Sequence, residues 1–181
     1  MHAPDPLALV RAARGQIGVT RRYAPAYVRL AYPDGDVPLE QGVCTDVVIR
    51  AYRKAYHCDL QHLVHEDMAR AFSAYPKRWG MKQPDKNIDH RRVPNLQTFF
   101  TRQKASLPVS GRGADYLPGD LVTQMLPGNL PHILIVSDRR RDDGRPLVIH
   151  NIGQGTREED WLFGATVTGH YRFVPRSQSR A

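Results

Sequence analysis

Apolar residues recur at helical spacing through the first hundred residues, and then the pattern changes to alternation. Leu7, Leu9, Val10, Ala13 and Ile17 predict a helix that ends near Gly18. Residues 20–38 hold tyrosine and proline turn signals and read as a loop crossing the domain face. A second helix is predicted from Cys44 to Tyr56, with Val47, Val48, Ala51 and Ala55 as its buried stripe. Leu60, Leu63, Val64, Met68 and Phe72 predict a third, and residues 75–90, rich in Pro, Lys and Asp, a loop. Val93 to Lys104, carrying Leu96, Phe99 and Phe100, predicts a fourth helix, with Pro94 tolerated in its first turn.

Beyond Tyr116 the period is that of strands. Asp120 to Met125 follows a Pro118-Gly119 turn, and Ile133 to Ser137 is short and β-branched. Asp138 to Arg145 reads as a charged hairpin turn, Leu147 to Asn151 as the partner strand, and Thr166 to Val174 as the strand that closes the sheet. Helices first and an antiparallel meander afterwards make the fold class α+β. The length, 181 residues, suits one domain spanning 1–181 with a real core.

Charge narrows the partners. The formal net charge is +8, with arginines gathered early (Arg11, Arg14, Arg21, Arg22, Arg29), midway (Arg91, Arg92) and late (Arg139 to Arg141). Such a surface prefers anionic partners, among them nucleic acid, anionic lipid and the bacterial cell wall. No zinc finger, base-stacking strand or continuous basic helix is present, so no nucleic-acid partner is predicted. No apolar run is long enough to span a bilayer. The chain opens Met-His-Ala-Pro-Asp-Pro without the apolar stretch of a signal peptide, which fits a cytosolic protein or a mature form that has lost one.

The two cysteines, Cys44 and Cys58, lie at opposite ends of one predicted helix, roughly 20 Å apart and too far for a disulfide. Both are predicted to be free thiols. Cys44 stands at a helix N-terminus, where the dipole lowers a thiol pKa, as does a neighbouring imidazole. His132 begins one strand of the predicted hairpin and His150 ends the other, so both fall at the same end of the sheet. One can serve as base to the thiol and the other can orient that base. A cysteine at a helix start can also be a small buried hydrophobe, and a strand-end histidine a satisfied boundary group. The joint arrangement is what points to catalysis.

These pieces, in this order, resemble the NlpC-type papain-like cell-wall peptidases, and most closely a bacterial branch of that superfamily catalogued as a domain of unknown function. The resemblance covers about residues 20–174. It runs through the tyrosine of a Gly/Pro loop (Tyr32 to Pro38), the nucleophile at a helix start (Cys44), Pro118 to Val122, His132 to Val136, and a polar residue ending the next strand (His150). Val43, Thr45 and Asp46 replace the family's usual flanks of the nucleophile, and Leu134 replaces a glycine. The stretch 59–113 is longer than the family's connection and reads as a helical and loop insertion forming part of the substrate groove.

The resemblance implies a papain-like fold in which the nucleophile's helix packs on an antiparallel sheet. It implies a cysteine peptidase or amidase with catalytic Cys44, His132, His150 and Tyr32, the last as an oxyanion donor. Asn151 is the alternative to His150, though alternation puts the two on opposite faces. The implied substrate is a peptidoglycan stem peptide, with no cofactor, in the periplasm or outside the cell. A non-catalytic wall-binding module and a papain-like acyltransferase are the alternatives. Arg91 and Arg92 are expected to grip substrate carboxylates, and Asp46 or Asp89 a free amine. His62, His65, Glu66 and Asp67 look like a metal cluster, but a polar helix face is the reading adopted and no metal is predicted.

Overall fold

The computed structural model describes residues 4–175. The first helix, α1 (Pro6–Arg14), starts where Asp5 accepts a hydrogen bond from the Leu7 N–H and proline occupies its first turn. It stops four residues short of Gly18, in a run of turns that leaves Ile17 exposed. Two short strands follow, β1 (Arg22–Tyr23) and β2 (Gln41–Gly42), paired in parallel. The first lies inside the stretch predicted to be loop. Two residues cannot carry a recognisable alternation, so this pairing is invisible in the sequence.

Three more helices come next: α2 (Cys44–Tyr56), α3 (Leu60–Ala71) and α4 (Val93–Arg102). Asp59 caps α3 by accepting from the Gln61 N–H, and Pro94 falls in the first turn of α4. The remaining strands are β3 (Ser106–Leu107), β4 (Leu121–Leu126), β5 (Leu130–Arg140), β6 (Pro146–Asn151), β7 (Thr156–Glu159) and β8 (Thr166–Tyr171). They form one antiparallel sheet in the order β3-β8-β4-β5-β6-β7. The architecture is therefore α+β. The strand β5 extends well past the predicted Ser137, because its charged end still pairs, Arg140 with Pro146.

Alternation gives this sheet two different faces. Ile133, Ile135 and Ile149 pack with Leu9, Val48, Tyr52, Leu96 and Phe100 in the main core, under the helices. Leu134, Val136 and Val148 join Tyr116, Val122 and Leu162 in a smaller core on the other face. The loop leading into α2 has no regular structure of its own. Arg50 holds it: the guanidinium forks onto Asp36 at 2.8 and 2.9 Å and donates to the carbonyls of Val37 and Gln41. One buried cation thus fixes the backbone just ahead of Cys44.

Candidate active site

Cys44 is the first residue of α2, and the helix is aimed by the residues on either side of it. The Asp46 carboxylate reaches back to accept from the Val43 N–H at 2.7 Å, and Thr45 donates its hydroxyl to the Arg91 carbonyl at 3.0 Å. These contacts hold the thiol against β5, where the backbone N–H of Ile133 meets the sulfur together with the N–H groups of Thr45 and Cys44 itself. Those donors favour a thiolate. Burial outweighs them, because only 4% of Cys44 is exposed and Asp46 is close by. The thiol is pushed up to about 11. The expected lowering by the helix terminus is therefore overturned in the resting protein: Cys44 is a protonated thiol. Cys58, at the far end of the helix, is buried as well and pushed up to about 12.

His132 and His150 come together as the hairpin predicts. His132 Nε2 and His150 Nδ1 are 2.8 Å apart. Burial, and for His132 the neighbouring His150, drive both imidazoles below their ordinary pKa, His132 to about 3. A third group completes the row: His150 Nε2 stands 2.9 Å from Glu159 Oε1. Cys44 meets the strand at Ile133, one residue from His132. Alternation along β5 carries Ile133 toward the helices and His132 toward the other face, and no hydrogen bond joins Cys44 to His132 among the described residues. Asn151 sits differently. Its amide donates to the Gly42 carbonyl at 3.2 Å and accepts from the N–H groups of Gly153 and Gly155, so it ties the loop before Cys44 to the end of β6.

The tyrosine at the thiol is Tyr23, not Tyr32. Tyr23 stands beside Cys44, and burial together with the thiol and Asp46 raises its pKa. Tyr32 instead places its hydroxyl 2.9 Å from His62 Nδ1 and 3.3 Å from Glu66, with its ring edge-on to His65. Tyr32, the tyrosine expected near the thiol, is therefore away from Cys44. The reason is the pairing of β1 with β2, which sets Tyr23 beside Gly42, two residues before Cys44.

Three of the four expected substrate contacts are consumed internally. Arg91 and Asp46 form a forked pair at 3.0 and 2.9 Å, with side chains only 2% and 5% exposed. Asp89 is buried and accepts from the Asp85 N–H at 2.5 Å. Arg92 differs. Its guanidinium stacks on the Trp79 ring at 4.2 Å, and its Nη1 lies 3.8 Å from Asp89 Oδ1, an ion pair with no hydrogen bond among the described residues. A groove of about 1120 Å³ opens at the other end of α2, by Cys58, His62, Phe99 and Arg172, away from Cys44.

A family model described as "Domain of unknown function (DUF1287)" matches residues 10–173. The chain belongs to the DUF1287 family. It is 57% identical over 167 residues to an Escherichia coli (strain K12) protein described as "Uncharacterized protein YijF", covering 92% of this chain and 81% of that one. No solved structure matches. The DUF1287 match spans every residue of the cluster, from Tyr23 to Glu159. Two of these were not found by reading the sequence. Tyr23 carries no spacing signal. Glu159 does carry one: Gly153 and Gly155 after Asn151 mark a turn, and a strand returning from it must pair with the end of β6 that holds His150.

Proposed function

We propose that this DUF1287 chain is a cysteine hydrolase that cuts an amide bond in peptidoglycan stem peptides through an acyl-enzyme on Cys44, on a papain-like fold of the NlpC type. The observation that carries the reading is the row His132–His150–Glu159, which ends one residue from the point where Cys44 meets β5. A buried pair of neutral imidazoles anchored on a carboxylate has no packing advantage over apolar residues. It has a clear use as an oriented base.

The steps follow from these groups. The thiol and His132, which face opposite sides of β5 in the unliganded chain, must come within hydrogen-bonding distance as substrate binds. His132 takes the proton as the sulfur attacks the carbonyl carbon. The oxyanion is held by the Cys44 backbone N–H and the Tyr23 hydroxyl. Collapse expels the amine, which takes the proton from His132, and leaves a thioester. Water, deprotonated by His132, then releases the acid. Arg92, which stands 3.8 Å from Asp89 and makes no hydrogen bond through Nη1, is the cation this reading assigns to a substrate carboxylate. The net charge of +8 suits an anionic polymer, and a wall substrate places the enzyme in the periplasm or outside the cell. The occlusion of Cys44 favours, as a second reading, a wall-binding module on the same fold.

Sacculi digested with the wild type and with Cys44→Ala, and analysed by mass spectrometry, test this. New stem-peptide fragments from the wild type alone are expected. Identical digests with equal retention of both proteins on sacculi would replace hydrolysis with binding.

A further inference from the structure

β7 pairs antiparallel with β6, Val148 opposite Glu159 and His150 opposite Arg157. Its two consecutive glutamates leave on opposite faces. Glu158 is taken up by Arg14 and Arg139 at 2.8 and 3.0 Å. Glu159 meets no arginine among the described residues; its Oε1 lies 2.9 Å from His150 Nε2. Its side chain is 38% exposed, while that of His150 is fully covered.

We propose that Glu159 is a positioning residue that sets the tautomers of both buried imidazoles, so that the lone pair of His132 is presented on Nδ1. The order follows from proton counting. An ionised carboxylate only accepts, so His150 carries its proton on Nε2. A neutral ring has one N–H, which leaves His150 Nδ1 as an acceptor. The 2.8 Å contact then requires His132 to donate from Nε2. His132, also neutral, is left with an unprotonated Nδ1, which makes no hydrogen bond among the described residues.

Without the carboxylate, the histidine pair has a second arrangement of equal bond count. His150 then donates from Nδ1 to His132 Nε2, and His132 carries its proton on Nδ1. In that form the atom that would accept the thiol proton is blocked. A charge-assisted hydrogen bond, roughly twice as strong as a neutral one, selects the first form over the second. Only the catalytic consequence rests on the hydrolase reading; the proton order does not.

The test is ¹⁵N correlation spectroscopy of histidine-labelled full chain at pH 7.5, with signals assigned through His132→Gln and His150→Gln. In the wild type both rings are expected as the Nε2–H tautomer. In Glu159→Ala the His132 signal moves toward the Nδ1–H pattern, Glu159→Asp restores it, and Glu158→Gln leaves it unchanged. Should the alanine variant fail to fold, Glu159→Gln, which keeps the shape and loses the charge, gives the same comparison. An unchanged Nε2–H pattern at His132 in folded Glu159→Ala, or in folded Glu159→Gln where the alanine variant does not fold, overturns the proposal. Where fragments are released from sacculi, kcat in Glu159→Ala falls by about 10² or more with little change in KM. A tautomer shift without any wild-type hydrolysis would keep the positioning role and remove the hydrolase.

Discussion

His132 and His150 share one proton-bearing contact of 2.8 Å, inside the sheet and out of water. Two imidazoles at this distance cannot both be charged, and burial keeps both neutral at ordinary pH. The pair is therefore poised to receive a single proton.

This relationship fixes a pH dependence of stability. A histidine whose folded pKa lies below its unfolded value adds stability that is complete above the unfolded pKa. That stability is lost as the pH falls toward the folded value. For His132 the window runs from 6.5 down to about 3, and His90, depressed chiefly by burial, shares it. Urea unfolding between pH 7 and about 4.5, above the usual carboxylate range, should show stability falling on acidification by up to ~1.4 kcal/mol per pH unit for each such site. His132→Gln should make that slope shallower. An equal slope would mean that His132 takes up its proton alike in the folded and unfolded chain.

Alkylation of Cys44 should be slow near neutral pH and should climb without a plateau toward the pKa of about 11. Iodoacetamide labelling read by peptide mass spectrometry across pH 6 to 10 checks this. A plateau near neutrality would reveal a preformed thiolate–imidazolium pair.

The two tyrosines separate cleanly. Tyr23→Phe removes the hydroxyl beside Cys44 and should lower kcat on released stem peptides by about 10²- to 10³-fold, the usual loss of an oxyanion donor. Tyr32→Phe removes only bonds to His62 and Glu66 and should leave kcat near wild type while lowering the melting temperature. A reversed ranking would restore Tyr32 to the site.

The buried fork of Arg91 and Asp46 should behave as a structural unit. Arg91→Met alone leaves the buried Asp46 carboxylate without its cation next to Cys44 and should cost about 3–5 kcal/mol by urea unfolding. The double variant Asp46→Leu/Arg91→Met should recover part of that loss. A single variant as stable as wild type would mean that water reaches the carboxylate.

Much of this was legible in the sequence, for identifiable reasons. Long periodic segments, such as the stripe Val47, Val48 and Ala51, declare their helix, and the hairpin around Asp143-Gly144 brings His132 to His150 by register alone. Residues whose roles depend on contacts far along the chain were not legible. Arg91 looks like a free cation in a polar loop until α2 supplies Asp46. Tyr23 and Tyr32 look alike until β1 pairs with β2. The thiol pKa was misjudged because a helix terminus is visible in a sequence and burial is not.

His150 and Asn151 are neighbours that face opposite ways, one to His132 and the other to Gly42. A single peptide bond thus joins the relay to the loop that aims Cys44. The consequence concerns timing: a ribosome delivers Cys44 well before this junction exists. Until β6 seats, His132 lacks its imidazole partner and the loop before Cys44 lacks its tie to the sheet, so the cluster waits for nearly the whole chain to be made.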